Sequence, residues 1–237
     1  MNKYFTKKGP FFLVACIHRA TGIGLVFILA LQFVVQFEAP YHGIAVVSFL
    51  AWMASIPLIF HALNGARLIL YELYGRRDDE QMLIWVLALS CLYLLVLTII
   101  ALSRDQAVSP FFFWLTALSL SLIAACAIRV RLQGLGHSLP WVLQRVTAAL
   151  LLVLAPSFTI YIHLHPLEGA HRGFQLAFLR GVHILLLLST LYHAGYGLWS
   201  IAADYLGSGI WRAISAVAVF LGMLALGSVG MRLILSG

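Results

Sequence analysis

Charge is what this chain has least of. Only 10% of its 237 residues are Asp, Glu, Lys or Arg, against about 25% in an ordinary soluble domain. Acidic residues are scarcer still, 8 against 15 Lys plus Arg, leaving a formal net charge of +7. Most of the basic residues stand in short loops or at the ends of apolar runs, which reads as membrane orientation and excludes a nucleic-acid footprint. Cysteine is also sparse: Cys16, Cys91 and Cys126 lie far apart in apolar stretches and form no CxxC pair. Neither an iron–sulfur cluster nor a disulfide framework is expected. A glycine-rich dinucleotide fingerprint and a Walker loop are missing too, so any flavin, cluster or nucleotide must belong to another subunit.

What fills the chain is hydrocarbon. Hydrophobic residues make up 62% of it and its mean hydropathy is +0.99. Apolar runs of the roughly 20 residues that a bilayer demands recur from end to end. The expected fold is an all-α, polytopic transmembrane helical bundle of seven spans. Their bounds read as Phe11 to Phe37, Ile44 to Tyr74, Met82 to Leu102, Pro110 to Ile128, Trp141 to Ile162, Phe174 to Tyr205 and Ile210 to Leu235. Lys3, Lys7 and Lys8 before the first span mimic a signal peptide, but no small-residue cleavage site follows. The first span is therefore read as a retained helix.

The sixth span carries its polar residues in one line. At about 100° per residue, His193, Gly197 and Asp204 share one face, with the carboxylate roughly 16 Å beyond the imidazole. The second span repeats the layout at identical offsets in His61, Gly65 and Glu72. The starts of the first and fifth spans echo each other as well, His18-Arg19-Ala20-Thr21-Gly22 against Gln144-Arg145-Val146-Thr147-Ala148. The chain thus reads as two parallel three-helix repeats, residues 1–103 and 137–237, joined through a helix and loop over 104–136. Span four is needed because three spans leave the chain on the wrong face. It is otherwise chemically blank, and span three reads as a packing helix.

Lys3, Lys7, Lys8, Arg76, Arg77, Arg129, Arg131 and Arg212 fall on one side, against Arg104, Arg172, Arg180 and Arg232 on or near the other. The positive-inside rule makes the first side, and the N-terminus, cytoplasmic. A bacterial inner (cytoplasmic) membrane is the expected location.

Two equivalent histidine helices related by an axis along the membrane normal would bring His61 and His193 to one depth, facing each other. Opposed imidazoles across a flat macrocycle describe a bis-histidine haem b, an electron carrier with no free coordination site. Gly65 and Gly197 would let the macrocycle edge approach the backbone. Haem propionates need cations, and His18, Arg19 and Arg145 stand near the cytoplasmic ends of the first helix of each unit. One haem is expected rather than two, because His183 faces roughly 80° away from His193 and Ala51 stands at its matching place in the first unit.

His193, Gly197, Asp204 and Tyr205, preceded by Arg145-Val146-Thr147, resemble the small cytochrome b anchor subunit of succinate dehydrogenase (succinate:quinone oxidoreductase). His18-Arg19-Ala20-Thr21-Gly22 with His61, Gly65 and Arg67 is similar to the large anchor subunit. The resemblance covers three spans in each half, so the chain looks like both anchors fused. It implies that His61 and His193 ligate one haem b, that His18, Arg19 and Arg145 contact its propionates, and that Arg19, Asp204 and Tyr205 border a quinone pocket. The quinone would be ubiquinone or menaquinone, and the partners an iron–sulfur subunit and an FAD-containing flavoprotein, with membrane lipid around the anchor. Three positions depart from the family: Ala15 replaces a serine, Leu68 a histidine and Glu72 an aspartate. Two other readings stay open. One is a diheme cytochrome b anchor of another quinone-linked dehydrogenase, drawn from His163, His165 and His183; the other is a transporter or channel with structural histidines.

Overall fold

The computed structural model describes residues 9–38, 44–75, 78–103, 109–134, 136–164, 174–206 and 209–236. Lys3, Lys7, Lys8, Arg76, Arg77, Arg104, His165 and Arg172 therefore lie outside the described residues. Among those described, the chain forms seven helices and no strand: α1 (Pro10–Glu38), α2 (Ile44–Tyr74), α3 (Asp79–Ser103), α4 (Pro110–Arg131), α5 (Leu139–Leu164), α6 (Phe174–Tyr205) and α7 (Ile210–Ser236). All seven are long and apolar enough to cross a membrane. The protein is a multi-pass, all-α bundle.

Local chemistry sets the helix starts. α1 and α4 begin at prolines, whose fixed φ suits a first turn and whose missing N–H would be unpaired there anyway. α3 opens three residues before its apolar run, because Asp79 and Glu80 complement the positive end of the helix dipole. Pro57 and Pro156 stand inside α2 and α5, yet both helices run on past them. The carbonyl of Pro156 is taken by the Tyr93 hydroxyl of α3 at 2.8 Å and by Thr159 Oγ1 at 2.8 Å. Tyr93 also meets the Thr159 hydroxyl directly, so α3 packs on α5 through a polar clasp in an apolar setting. Cys16, Cys91 and Cys126 are free.

Helix neighbours come in matching couples. α1 packs on α2 as α5 does on α6, and α2 on α3 as α6 on α7. Across the middle, α2 meets α5 while α6 meets α1, and α3 meets α5 while α7 meets α1. Exchanging α1, α2 and α3 for α5, α6 and α7 maps these pairings onto one another. α4 stands outside this exchange, against α5 and α6. Its Trp114 is completely buried among Leu154, Tyr161, Leu179 and Val182, which makes the joining helix the centre of the main apolar cluster and not only a return path.

α6 and α7 are tied at both ends. Arg212 donates to the Ala203 carbonyl at 2.8 Å and Arg180 to the Leu235 carbonyl at 3.1 Å, each cation meeting the negative end of a neighbouring helix. Between these ties the helices touch through glycine. A methyl group added at Gly230 would stand 2.8 Å from Leu187 Cδ1 and 3.0 Å from Phe33 Cε2, hemmed from two sides. At Gly24 of α1 it would meet nothing within 4 Å. Gly230→Val should therefore destabilise the bundle by about 1–3 kcal/mol through overpacking. Gly24→Ala should leave stability unchanged or raise it by roughly 0.5–1 kcal/mol. Thermal unfolding in detergent, followed by tryptophan fluorescence, checks the contrast.

Candidate functional site

A cavity of about 650 Å³ runs between α1, α2, α4, α5 and α6, within the roughly 300–1,000 Å³ of cofactor-sized sites. His61 and His193 both line it. Their ring centres are 6.2 Å apart and the planes are nearly perpendicular, at 89°. A metal bound by one nitrogen of each ring, at about 2 Å, needs ring centres roughly 6 Å apart. The two residues eleven positions before matching carboxylates are thus brought together, edge to face.

His61 is held from outside the pair. Thr21 Oγ1 donates to the His18 carbonyl at 2.9 Å, so that carbonyl at 3.0 Å and the Thr21 oxygen at 3.3 Å are left as acceptors for His61 Nδ1–H. This network assigns the proton to Nδ1 and leaves the Nε2 lone pair free, the arrangement that orients metal-binding imidazoles. The His18 ring lies flat on His61, with centres 4.0 Å apart and planes 6° from parallel. Gly22 makes the contact possible, since a Cβ there would fall 2.9 Å from His61 Cε1. His193 is less constrained: its Nδ1 is buried with no hydrogen-bond partner, while its backbone carbonyl accepts from Gln144 Nε2 at 3.3 Å. An unpartnered imidazole nitrogen beside the cavity is a free donor or ligand atom.

Gly65 and Gly197 both line the cavity. Each faces the first helix of its own unit at an equivalent residue, Gly65 toward His18 and Gly197 toward Gln144.

Two ion pairs close one end. Arg19 Nη2 donates to Asp204 Oδ2 at 2.7 Å, and its Nη1 to the Tyr205 hydroxyl at 3.1 Å. Arg145 grips Glu72 in a fork, Nε to Oε2 at 2.9 Å and Nη2 to Oε1 at 2.7 Å, and lies 4.2 Å over the Trp141 ring. In each pair the arginine on the first helix of one unit holds the carboxylate on the second helix of the other. Arg19 and Arg145 line the cavity; Asp204 and Tyr205 stand outside its wall on the surface.

Sequence reasoning passed over several residues here. α4 is not blank: Ala124, Ala127, Ile128 and Arg131 form part of the cavity wall. The signal was legible as small or apolar side chains at helical spacing, ending in a cation. Asn64 of α2 is buried, as is Arg67 of the motif named above; among the described residues both Asn64 side-chain polar atoms and Arg67 Nε and Nη1 lack hydrogen-bond partners. The Arg67 guanidinium stacks 5.5 Å from Tyr71 and 6.0 Å from Phe11. Of the further histidines, His183 sits among Trp114, Phe158 and Tyr161, and His163 Nδ1 is bound to the Thr159 carbonyl at 2.6 Å. Neither lines the cavity. Among the described residues, no group of three or more His, Cys, Asp or Glu could by itself hold a metal ion.

Comparison with models of known protein families, with curated proteins and with solved structures finds no match for the chain.

The two ion pairs differ in exposure, 20% and 37% for Arg145 and Glu72 against 42% and 52% for Arg19 and Asp204. Glu72→Gln should cost about 1–2 kcal/mol of stability, a loss that persists in high salt. Asp204→Asn should cost less than about 1 kcal/mol and lose its effect as salt is added. Paired thermal unfolding at low and high salt measures both.

Proposed function

We propose that this protein is the haem b- and quinone-binding membrane anchor of a succinate:quinone oxidoreductase, passing electrons between an iron–sulfur subunit and the membrane quinone pool. One observation carries the reading: His61 and His193, at matching places in the repeated layout, stand 6.2 Å apart on the wall of a cofactor-sized cavity. These two residues would hold the haem iron. A haem held there would supply one-electron transfer.

The chain's own residues supply the rest. The His18 carbonyl and Thr21 orient His61, so ligand geometry is built into the fold before any cofactor arrives. At the end of α6, Arg19 donates to the Tyr205 oxygen, which leaves the phenol proton free to point at an acceptor such as a quinone carbonyl. Asp204, held by the same guanidinium, offers a carboxylate through which protons from cytoplasmic water can reach that phenol. Both groups lie on the surface, where an iron–sulfur subunit would cover them and exclude bulk water. Arg19 reaches from that surface into the cavity wall and so links the quinone pocket to the haem site.

The charge asymmetry of the loops supports a cytoplasmic N-terminus, with this polar end of the bundle facing the cytoplasm in a bacterial inner membrane. A transporter reading gains nothing from the helices, because α2 and α5 continue through their prolines without the broken midspan segments such proteins use.

The purified chain should show a low-spin b-type spectrum and one haem by pyridine hemochrome assay. His61→Ala and His193→Ala should each abolish it, whereas His183→Ala should not. A chain that binds no haem, or keeps its haem in both ligand variants, would sink the proposal. In the assembled complex, Tyr205→Phe and Asp204→Asn should depress quinone-coupled turnover at least about tenfold, with the haem spectrum and the rate with an artificial acceptor retained. Reporter fusions at the C-terminus should be active only outside the cytoplasm; cytoplasmic activity there would mean that one helix does not cross.

A further inference from the structure

The charged side chains on the cavity wall are Arg19, Glu72, Arg131 and Arg145. Two of the three cations are already committed. Arg19 is paired with Asp204 and hydrogen-bonded to Tyr205. Arg145 spends its fork on both Glu72 oxygens, with its flat face against Trp141. A second carboxylate would have only the Nη1 edge of Arg145 left to it, because Nε and Nη2 are held in a bidentate pair that is among the stronger charge-assisted contacts.

Arg131 differs. It closes α4 at the same end of the bundle and lies on the cavity wall. Its guanidinium rests 5.3 Å over the Tyr74 ring, at the end of the helix that carries His61 and Glu72. Among the described residues it has no carboxylate partner. The ring sits beside the guanidinium of this exposed side chain as a cation–π neighbour, which leaves N–H donors of the fork for a carboxylate.

We infer that Arg131 is the residue that binds an acidic group of the cavity's occupant. The inference rests on the haem reading above, where that group is a propionate. The helix that joins the two halves then contributes a ligand contact of its own. Arg145 serves instead as a brace, keeping α2 and α5 together at the mouth.

The test titrates the full chain, produced without haem and held in detergent, with ferric protohaem IX and with its dimethyl ester, which lacks the propionate charges. Arg131→Ala should weaken protohaem binding about five- to tenfold and leave ester binding at the wild-type level. Each variant is its own control, since a folding defect would lower both affinities alike. Arg131→Lys should recover part of the protohaem affinity, as a point charge without the fork. Equal losses for the two haems, or no loss with either, would overturn the inference and leave the haem reading standing. Failure of the wild-type chain to bind either haem would overturn both.

Discussion

The structure depends on a reciprocal exchange of charge between its halves. Arg19 of the first unit holds Asp204 of the second, and Arg145 of the second holds Glu72 of the first. Both pairs span the two units, the Arg145–Glu72 fork being the less exposed and Arg19–Asp204 half exposed. Set at one end of the bundle, they fix the relative rotation of the units about their shared axis. The imidazoles eleven residues further down α2 and α6 have their register set by that rotation.

Close packing does the rest within the apolar spans, where burying apolar surface gives no preference for helix over lipid. Gly22 lets α1 close on His61, and Gly230 lets α7 close on Leu187. The polar contacts are short and local: Thr21 against a carbonyl one turn away, and Tyr93 spanning from α3 to Pro156 and Thr159. Leucines form much of the cavity wall, with glycines, alanines and imidazoles interspersed among them, while Trp114 consolidates the neighbouring core.

Much of this was legible in the sequence. Helix number followed from apolar length alone, and helix bounds differ from it by no more than a few residues, as at α3, where Asp79 and Glu80 extend the helix. Matched offsets of histidine, glycine and carboxylate brought His61 near His193, and the resemblance grouped Arg19 with Asp204, which the fold pairs. What escaped was whatever depends on a neighbour that periodicity does not name. Nothing in the spacing says that the His18 ring would lie on His61, or that Arg145 would choose Glu72. α4 was misread because two of its four wall residues are alanines, and small side chains announce a cavity only when something large is known to stand opposite them.

The joining helix also changes the assembly problem. His61 and His193 belong to different units, so the pair exists only when one of each meets. Two free units would have to find each other in the membrane and refuse copies of themselves. Joined through α4, each unit meets its complement at an effective concentration in the millimolar range or above. The stoichiometry is fixed during synthesis. The mismatched pairing of two like units, which the near-symmetry of the fold would otherwise invite, is reduced to a minor competitor.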